Sequence, residues 1–373
     1  MAQVRRRKSS PDWWLLLAVL LLIAIGIIMV FSSSQYFAQY DPYDDAYYFL
    51  KAQLSNAAVG LVLMAIAYKV NVYLYRKLSY TAYLVELALL VFLAAAIKLG
   101  AAEEAGGASR WLELFGMNFQ PSELAKIALP MALAKWLSGH LTLVTDLKRG
   151  FLPCMALIAL TAVLIYAQNS LSVAFVVAAA SCVMLFCAGC RVSHFAVLIG
   201  IGAAGVTGAI ALQPWRMERI FAWLDPWAYA QGDGWQTTQS LMAIGSGGLT
   251  GVGLGSGGSK WYYLPERHTD FIFSVLCEEM GFIGALFVLL LIVFILWRGI
   301  MIAVKAPNTY TSLLAIGMVS SLGIQSMLNL GVCTGLLPVT GVTLPFVSYG
   351  GTSLVVSMTM IGILLNISRH IDT

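Results

Sequence analysis

Charge is what this sequence has least of. Asp, Glu, Lys and Arg make up 11% of its 373 residues, whereas a soluble domain carries roughly 25%. A chain so poor in charge cannot cover a water-facing surface, and a soluble enzyme is excluded. Metal-ligating side chains are also scarce, with four His and six Cys. Cys187 and Cys190 form a CxxC pair, but no second pair completes a zinc site, so the cysteines read as small packing residues. Tandem repeats, low-complexity tracts and flexible linkers are missing. No resident metal, tightly bound cofactor or nucleic-acid partner is expected.

What is abundant is apolar: 60% of the residues. The pattern predicts an all-α integral membrane protein, a polytopic bundle of about ten transmembrane helices of about 20 residues each. The expected spans are 13–34, 53–69, 78–98, 121–138, 150–167, 171–189, 193–213, 270–298, 311–332 and 348–368. Only Gln168, Asn169 and Ser170 separate the fifth from the sixth, so that boundary is the least defined. Residues 1–12 form a basic head, residues 13–370 the membrane domain. The first span is too long and too poorly followed by small residues to be a cleaved signal, and is expected to stay as an anchor.

With the N-terminus inside, fourteen of the 22 Lys and Arg fall on the cytoplasmic side, from Arg5 to Arg369. That is the asymmetry of the positive-inside rule. Both termini are therefore expected in the cytoplasm. The one long connection, 214–269, faces outward. It holds Trp215, Trp223, Trp227, Trp235 and Trp261, a density typical of the headgroup layer. Its glycine run, GSGGLTGVGLGSGG at 245–258, lacks the βαβ surroundings of a nucleotide site. Close packing of a re-entrant loop explains the run at least as well.

The loop ends in KWYYLPERHTDFIF, residues 260–273, which gathers Lys260, Glu266, Arg267, His268 and Asp270 where the eighth span begins. A carboxylate at the mouth of a span could serve as a general base for a sugar hydroxyl, or merely fix the loop through an ion pair. Within the spans, Glu123 and Lys126 lie three apart and share a helix face. Glu278 lies about 80° around the helix from Asp270 and Glu279 about 180°, so only Glu278 could line a common cavity with it; hydrogen bonding within the bundle is the favoured role for both.

Several long motifs in order carry a resemblance. They are GASRWLEL at 107–114, FQPSELAKI at 119–127, RIFAWLDPW at 219–227, GWQTTQSLMAIGSGGLTGVGLG at 234–255, LPERHTDFIFSVLCEEMGFIG at 264–284 and GLLPVTGVTLPFVSYGGTSL at 335–354. Over residues 12–370 the chain resembles the SEDS polymerases of shape, elongation, division and sporulation, the FtsW/RodA/SpoVE family. YYFLKAQL, after the first span, leans toward the division and sporulation branch. The resemblance implies a ten-span peptidoglycan glycosyltransferase that polymerises lipid II on the outer face of the cytoplasmic membrane, beside a class B penicillin-binding protein transpeptidase.

It also implies roles. Asp270 matches the family's essential acid. Arg110 and Trp111 match the GASRW motif, and Glu123 and Lys126 match PSELAK. Arg216, Arg219, Lys260, Arg267 and His268 are candidates to meet the substrate, the cations among them its pyrophosphate. Ser170 stands where the family often has an aspartate and Ser172 where it has glycine, which leaves Glu123 as the expected counter-ion of Lys126. A divalent cation could assist the leaving group. Two other readings compete: a lipid II flippase using the intramembrane charges, and a non-catalytic scaffold. The first lacks a visible inverted repeat, and the second leaves Asp270 without a task.

Overall fold

The computed structural model describes residues 10–39, 43–98, 112–114, 117–198, 200, 214–259 and 264–371. Its helices are α1 (Trp13–Ala38), α2 (Tyr48–Lys69), α3 (Val72–Lys98), α4 (Pro121–Gly139), α5 (Leu152–Tyr166), α6 (Leu171–Cys187), α7 (Pro214–Leu224), α8 (Trp235–Ser246), α9 (Ile272–Val304), α10 (Thr309–Cys333) and α11 (Gly351–Ser368). Residues 192–198 are also helical; most of the expected seventh span lies outside the described residues. Among the described residues, seven helical stretches are long and apolar enough to cross a membrane. The chain is a multi-pass helical membrane protein.

Local chemistry sets the helix ends. Asp12 caps α1 by accepting from the Leu15 N–H at 3.1 Å, and Asn308 caps α10 through the Thr311 N–H at 3.0 Å. Pro121 opens α4, with Glu123 in its first turn, where a missing N–H costs nothing and a carboxylate meets the positive end of the helix dipole. The boundary between α5 and α6 is a tight turn. Asn169 takes φ +56 there, a left-handed geometry that asparagine tolerates, and Ser170 occupies the N-cap position of α6.

Among the described residues, one departure from an all-helical chain precedes α4. Leu112–Leu114 (β1) and Met117–Phe119 (β2) pair antiparallel, with Leu112 opposite Phe119. The apolar–polar–apolar alternation of LEL and MNF suits such a hairpin.

The helices alternate in direction, so the two ends of the bundle differ. At one end Arg298 holds Asp12 through Nε at 2.8 Å, joining the start of α1 to the end of α9. There too Asn366 donates to the carbonyls of Ala67 at 3.1 Å and Tyr68 at 2.6 Å, closing α2. Lys69, Arg76, Lys135, Lys148 and Arg191 belong to this end by element order, which gathers the basic positions of the sequence on one side. Close helix contact is made with small residues, as expected where lipid removes the hydrophobic drive between helices. A Cβ on Gly362 of α11 would collide with the Met64 carbonyl and come within 2.9 Å of Ala67 Cβ on α2.

Candidate active site

The other end holds the polar chemistry, beginning with a broken helix. α9 loses helical geometry at Gly281, with φ 67 and ψ −169. That region is open essentially to glycine alone. The break frees backbone groups inside the bundle, where each unsatisfied one costs several kcal/mol. The glycine run supplies their partners. Val252 N–H donates to Glu278 O at 3.0 Å and Gly253 N–H to Glu279 O at 3.1 Å; in return Phe282 and Ile283 donate to Gly248 O and Leu249 O at 2.9 and 3.1 Å. A Cβ on Gly281 would sit 2.6 Å from Leu249 O. The run is a backbone plug for a discontinuous helix.

Both glutamates at the break serve this construction. Glu278 accepts from the Gly258 N–H at 2.7 Å and from the backbone and hydroxyl of Ser259, anchoring the far end of the plug. The expectation that Glu278 shares a cavity or polar network with Asp270 and Lys126 is corrected here, because the plug claims its carboxylate. Glu279 accepts from Ser32 of α1 at 2.6 Å.

Asp270 lies in the turn just before α9 and is partly exposed. Its main chain is held by α10: Asn329 Nδ2 donates to Asp270 O at 2.7 Å and Cys333 Sγ approaches the same oxygen at 3.4 Å. Across from it runs the segment 334–350, a non-helical strap between α10 and α11. The strap passes so close that a Cβ on Gly341 (φ +66) would stand 3.5 Å from Asp270 Oδ2. Tyr349 N–H, near the strap's end, donates to His268 O at 2.9 Å. Ser172, at the start of α6, donates to Thr340 O of the strap. Trp223 of α7 reaches Gly335 O at 3.1 Å.

Behind the strap is the buried ion pair. Lys126 Nζ donates to Glu123 Oε1 and Oε2 at 2.8 and 2.7 Å and to Gln325 Oε1 at 2.7 Å. Gln325 passes the connection on, donating to Thr343 O at 2.9 Å and Ser353 Oγ at 3.2 Å. Lys126 is 1% exposed. Glu123 is thus the counter-ion of Lys126, as the sequence led one to expect, and Gln325 is its unforeseen third partner. Two carboxamides four apart in an apolar span, Gln325 and Asn329, are the signal that could have revealed both. Ser170 is buried at the N-terminus of α6, with no hydrogen bond to Lys126.

The remaining candidates divide. Arg110, Trp111 and Lys260 lie outside the described residues. Arg216 and Arg219 belong to α7. Arg267 does not face a substrate: it is 5% exposed, donates to Ser33 O at 3.1 Å and lies 5.3 Å from the Phe37 ring. His268 is set among Phe37, Phe49 and Tyr349, with ring centroids 4.6 to 6.1 Å away. Burial there pushes its imidazole down to about 4, with Arg267 adding to the effect and Glu266 opposing it, so at neutral pH the ring is an uncharged packing element. Among the described residues, no group of three or more His, Cys, Asp or Glu is placed to hold a metal ion.

A multi-pass bundle with a plugged, discontinuous helix and a carboxylate beside a strap at one end defines a polytopic membrane protein with a polar, partly exposed cluster at that end. The chain belongs to the FtsW/RodA/SpoVE family, whose model, described as "Cell cycle protein", matches residues 12–373. It is 42% identical to stage V sporulation protein E of Bacillus subtilis over 348 residues, covering 93% of this chain and 94% of that one. It is 40% identical over 350 residues to a probable peptidoglycan glycosyltransferase FtsW of Geobacter sp. strain M18, covering 92% and 93%. A chain solved in a study of polymerization and crosslinking by a peptidoglycan synthase complex superposes with TM-score 0.79 at 30% identity, covering 96% of this chain and 98% of that one. The rod shape determining protein RodA of Thermus thermophilus superposes with TM-score 0.68, also at 30% identity, covering 96% of each chain.

Proposed function

We propose that this protein is a peptidoglycan glycosyltransferase that polymerises glycan strands from lipid II at the outer face of the cytoplasmic membrane, with both termini in the cytoplasm. The observation that carries the reading is the placement of Asp270. Its carboxylate stands at the mouth of the discontinuous helix, beside the strap, in a chain whose relatives bear glycosyltransferase names. In the reaction the C4 hydroxyl of one sugar attacks C1 of the next. The C1–O bond to the lipid pyrophosphate breaks, the hydroxyl proton passes to Asp270, and the α linkage becomes β in a single inverting displacement. A base in that position contributes about 10²–10⁴ in rate.

Cations must receive the departing pyrophosphate. Arg110, Arg216, Arg219 and Lys260 are assigned to that task, since Arg267 is spent within the fold. A divalent cation carried by the phosphates would share it. The two undecaprenyl tails occupy lipid-facing grooves between helices, and a class B penicillin-binding protein transpeptidase crosslinks the product. A flippase needs a polar path that opens near the midplane. The three donor bonds of Lys126 to Glu123 and Gln325 instead favour a fixed strut.

The test is polymerisation of labelled lipid II by the purified protein, with and without such a partner. Asp270→Asn keeps the shape but cannot take a proton, and should make the product nearly undetectable while folding survives. Asp270→Glu should lose around 10² in rate, because its carboxylate moves by about 1 Å. Glu266→Gln should keep much of the activity, since the Glu266 carboxylate accepts from the Thr269 hydroxyl within its own turn, at 2.7 Å. Glycan extension by Asp270→Asn at close to the unmodified rate would falsify the mechanism.

A further inference from the structure

We propose that Asn329 is a positioning residue for the reaction: its single side-chain amide holds the Asp270 turn and the strap at a fixed separation, so that the carboxylate meets the acceptor hydroxyl in register. The inference rests on the assignment of Asp270 as the base. Asn329 is 1% exposed. Its Nδ2 donates one N–H to Asp270 O and the other to Val342 O, each at 2.7 Å. These two carbonyls belong to segments far apart in sequence and face the same nitrogen. Without the amide between them they would repel each other; Val342 O would lose its donor, and Asp270 O would keep only the weak Cys333 thiol at 3.4 Å.

The neighbouring contacts concentrate its effect on the gap beside the carboxylate, since the other tie between strap and turn, Tyr349 N–H to His268 O at 2.9 Å, lies at the strap's far end. One turn earlier on α10, Gln325 holds the next strap residue through Thr343 O at 2.9 Å, and Lys126 fixes Gln325 from behind. The strap is thereby pinned to the helix at 342 and 343. Asp270 is joined to the same helix face at the carbonyl. Gly341, next to Val342, brings the strap backbone to the side of Asp270 Oδ2. An apolar residue at 329 would keep α10 intact, release both carbonyls and let the turn and strap separate. Misplacement of a reacting group by about 1 Å can cost around 10² in rate.

The experiment compares Asn329→Leu with Asn366→Leu and Asp270→Asn, using purified protein and labelled lipid II. Asn366→Leu is the matched control. It removes a buried amide that also serves backbone carbonyls, at the opposite end of the bundle, and should lower Tm while leaving kcat per folded molecule unchanged. Asn329→Leu should lower kcat by roughly 10- to 100-fold with KM within about threefold. Asn329→Ser, which retains one donor and guards against a variant that fails to fold, should fall between. Asn329→Leu with kcat within about threefold of the unmodified protein overturns the proposal, as does Asn329→Ser at the unmodified kcat should Asn329→Leu fail to fold. So does an equal loss of kcat in Asn366→Leu. If Asp270→Asn is active, it is the assignment of the base that has failed; if Asp270→Asn is inactive and Asn329→Leu is active, only the positioning role has.

Discussion

Glu123→Gln offers a direct measure of what the buried ion pair contributes. The pair lies at 2.7 Å with side chains 1% and 5% exposed, so removing the negative partner strands an ammonium in the bundle with neutral acceptors only. Breaking such a pair typically costs about 3–5 kcal/mol, most of it the penalty of the uncompensated charge. Gln325 remains as an acceptor at 2.7 Å, which places the expected loss toward the lower end of that range. By the scaling for large domains this is a fall in Tm of roughly 5–10 °C, readable as thermal unfolding in detergent by tryptophan fluorescence. Replacing Lys126 by Met in the same protein removes the stranded charge and should recover part of the loss. Recovery stays incomplete because Gln325 Oε1 then lacks its donor, at about 1–3 kcal/mol for an unsatisfied buried group. If the single and double variants melt alike, the pairing does not carry the stability assigned to it.

Three further outcomes are expected. Gly281→Ala forces a side chain into a glycine-only conformation against the Leu249 carbonyl; it should destabilise by at least about 4 kcal/mol, and a variant that expresses and melts like the parent refutes the plug. His268 stabilises the fold only while neutral, because burial holds it near 4 against an ordinary value of 6.5. Its contribution is complete above pH 6.5, declines as pH falls from 6.5 to 4 and is level below that, up to about 3 kcal/mol in all. His268→Phe should therefore narrow the Tm difference between pH 7 and pH 4.5, and an unchanged difference removes the effect. Cysteines placed at 233 and 148 should label from outside and inside the cell respectively; the reverse pattern overturns the orientation.

The sequence by itself determined the membrane class, most of the long apolar helices, the gathering of basic residues at one end and the Glu123–Lys126 pair. Each follows from short-range physics: hydrophobic length, flanking charge, and a spacing of three on one helix face. Asp270 was legible in the same way, as an acid placed where a span begins. The rest was decided by contacts between segments distant in the chain. Only the fold shows that the glycine run repairs a helix broken at Gly281, or that Glu278 closes this plug and does not join Asp270. The alternation of LEL and MNF is too short to announce a hairpin before the two strands meet. Arg267 and His268 look like substrate contacts in sequence because charge and proximity to Asp270 favour it. Tertiary packing turns one onto the Ser33 carbonyl and sets the other among aromatic rings. Asn329 and Gln325 were the least visible, since a carboxamide within a span acquires meaning only from the carbonyls it faces. Those carbonyls lie on the Asp270 turn and the strap, which meet α10 only when the bundle is assembled.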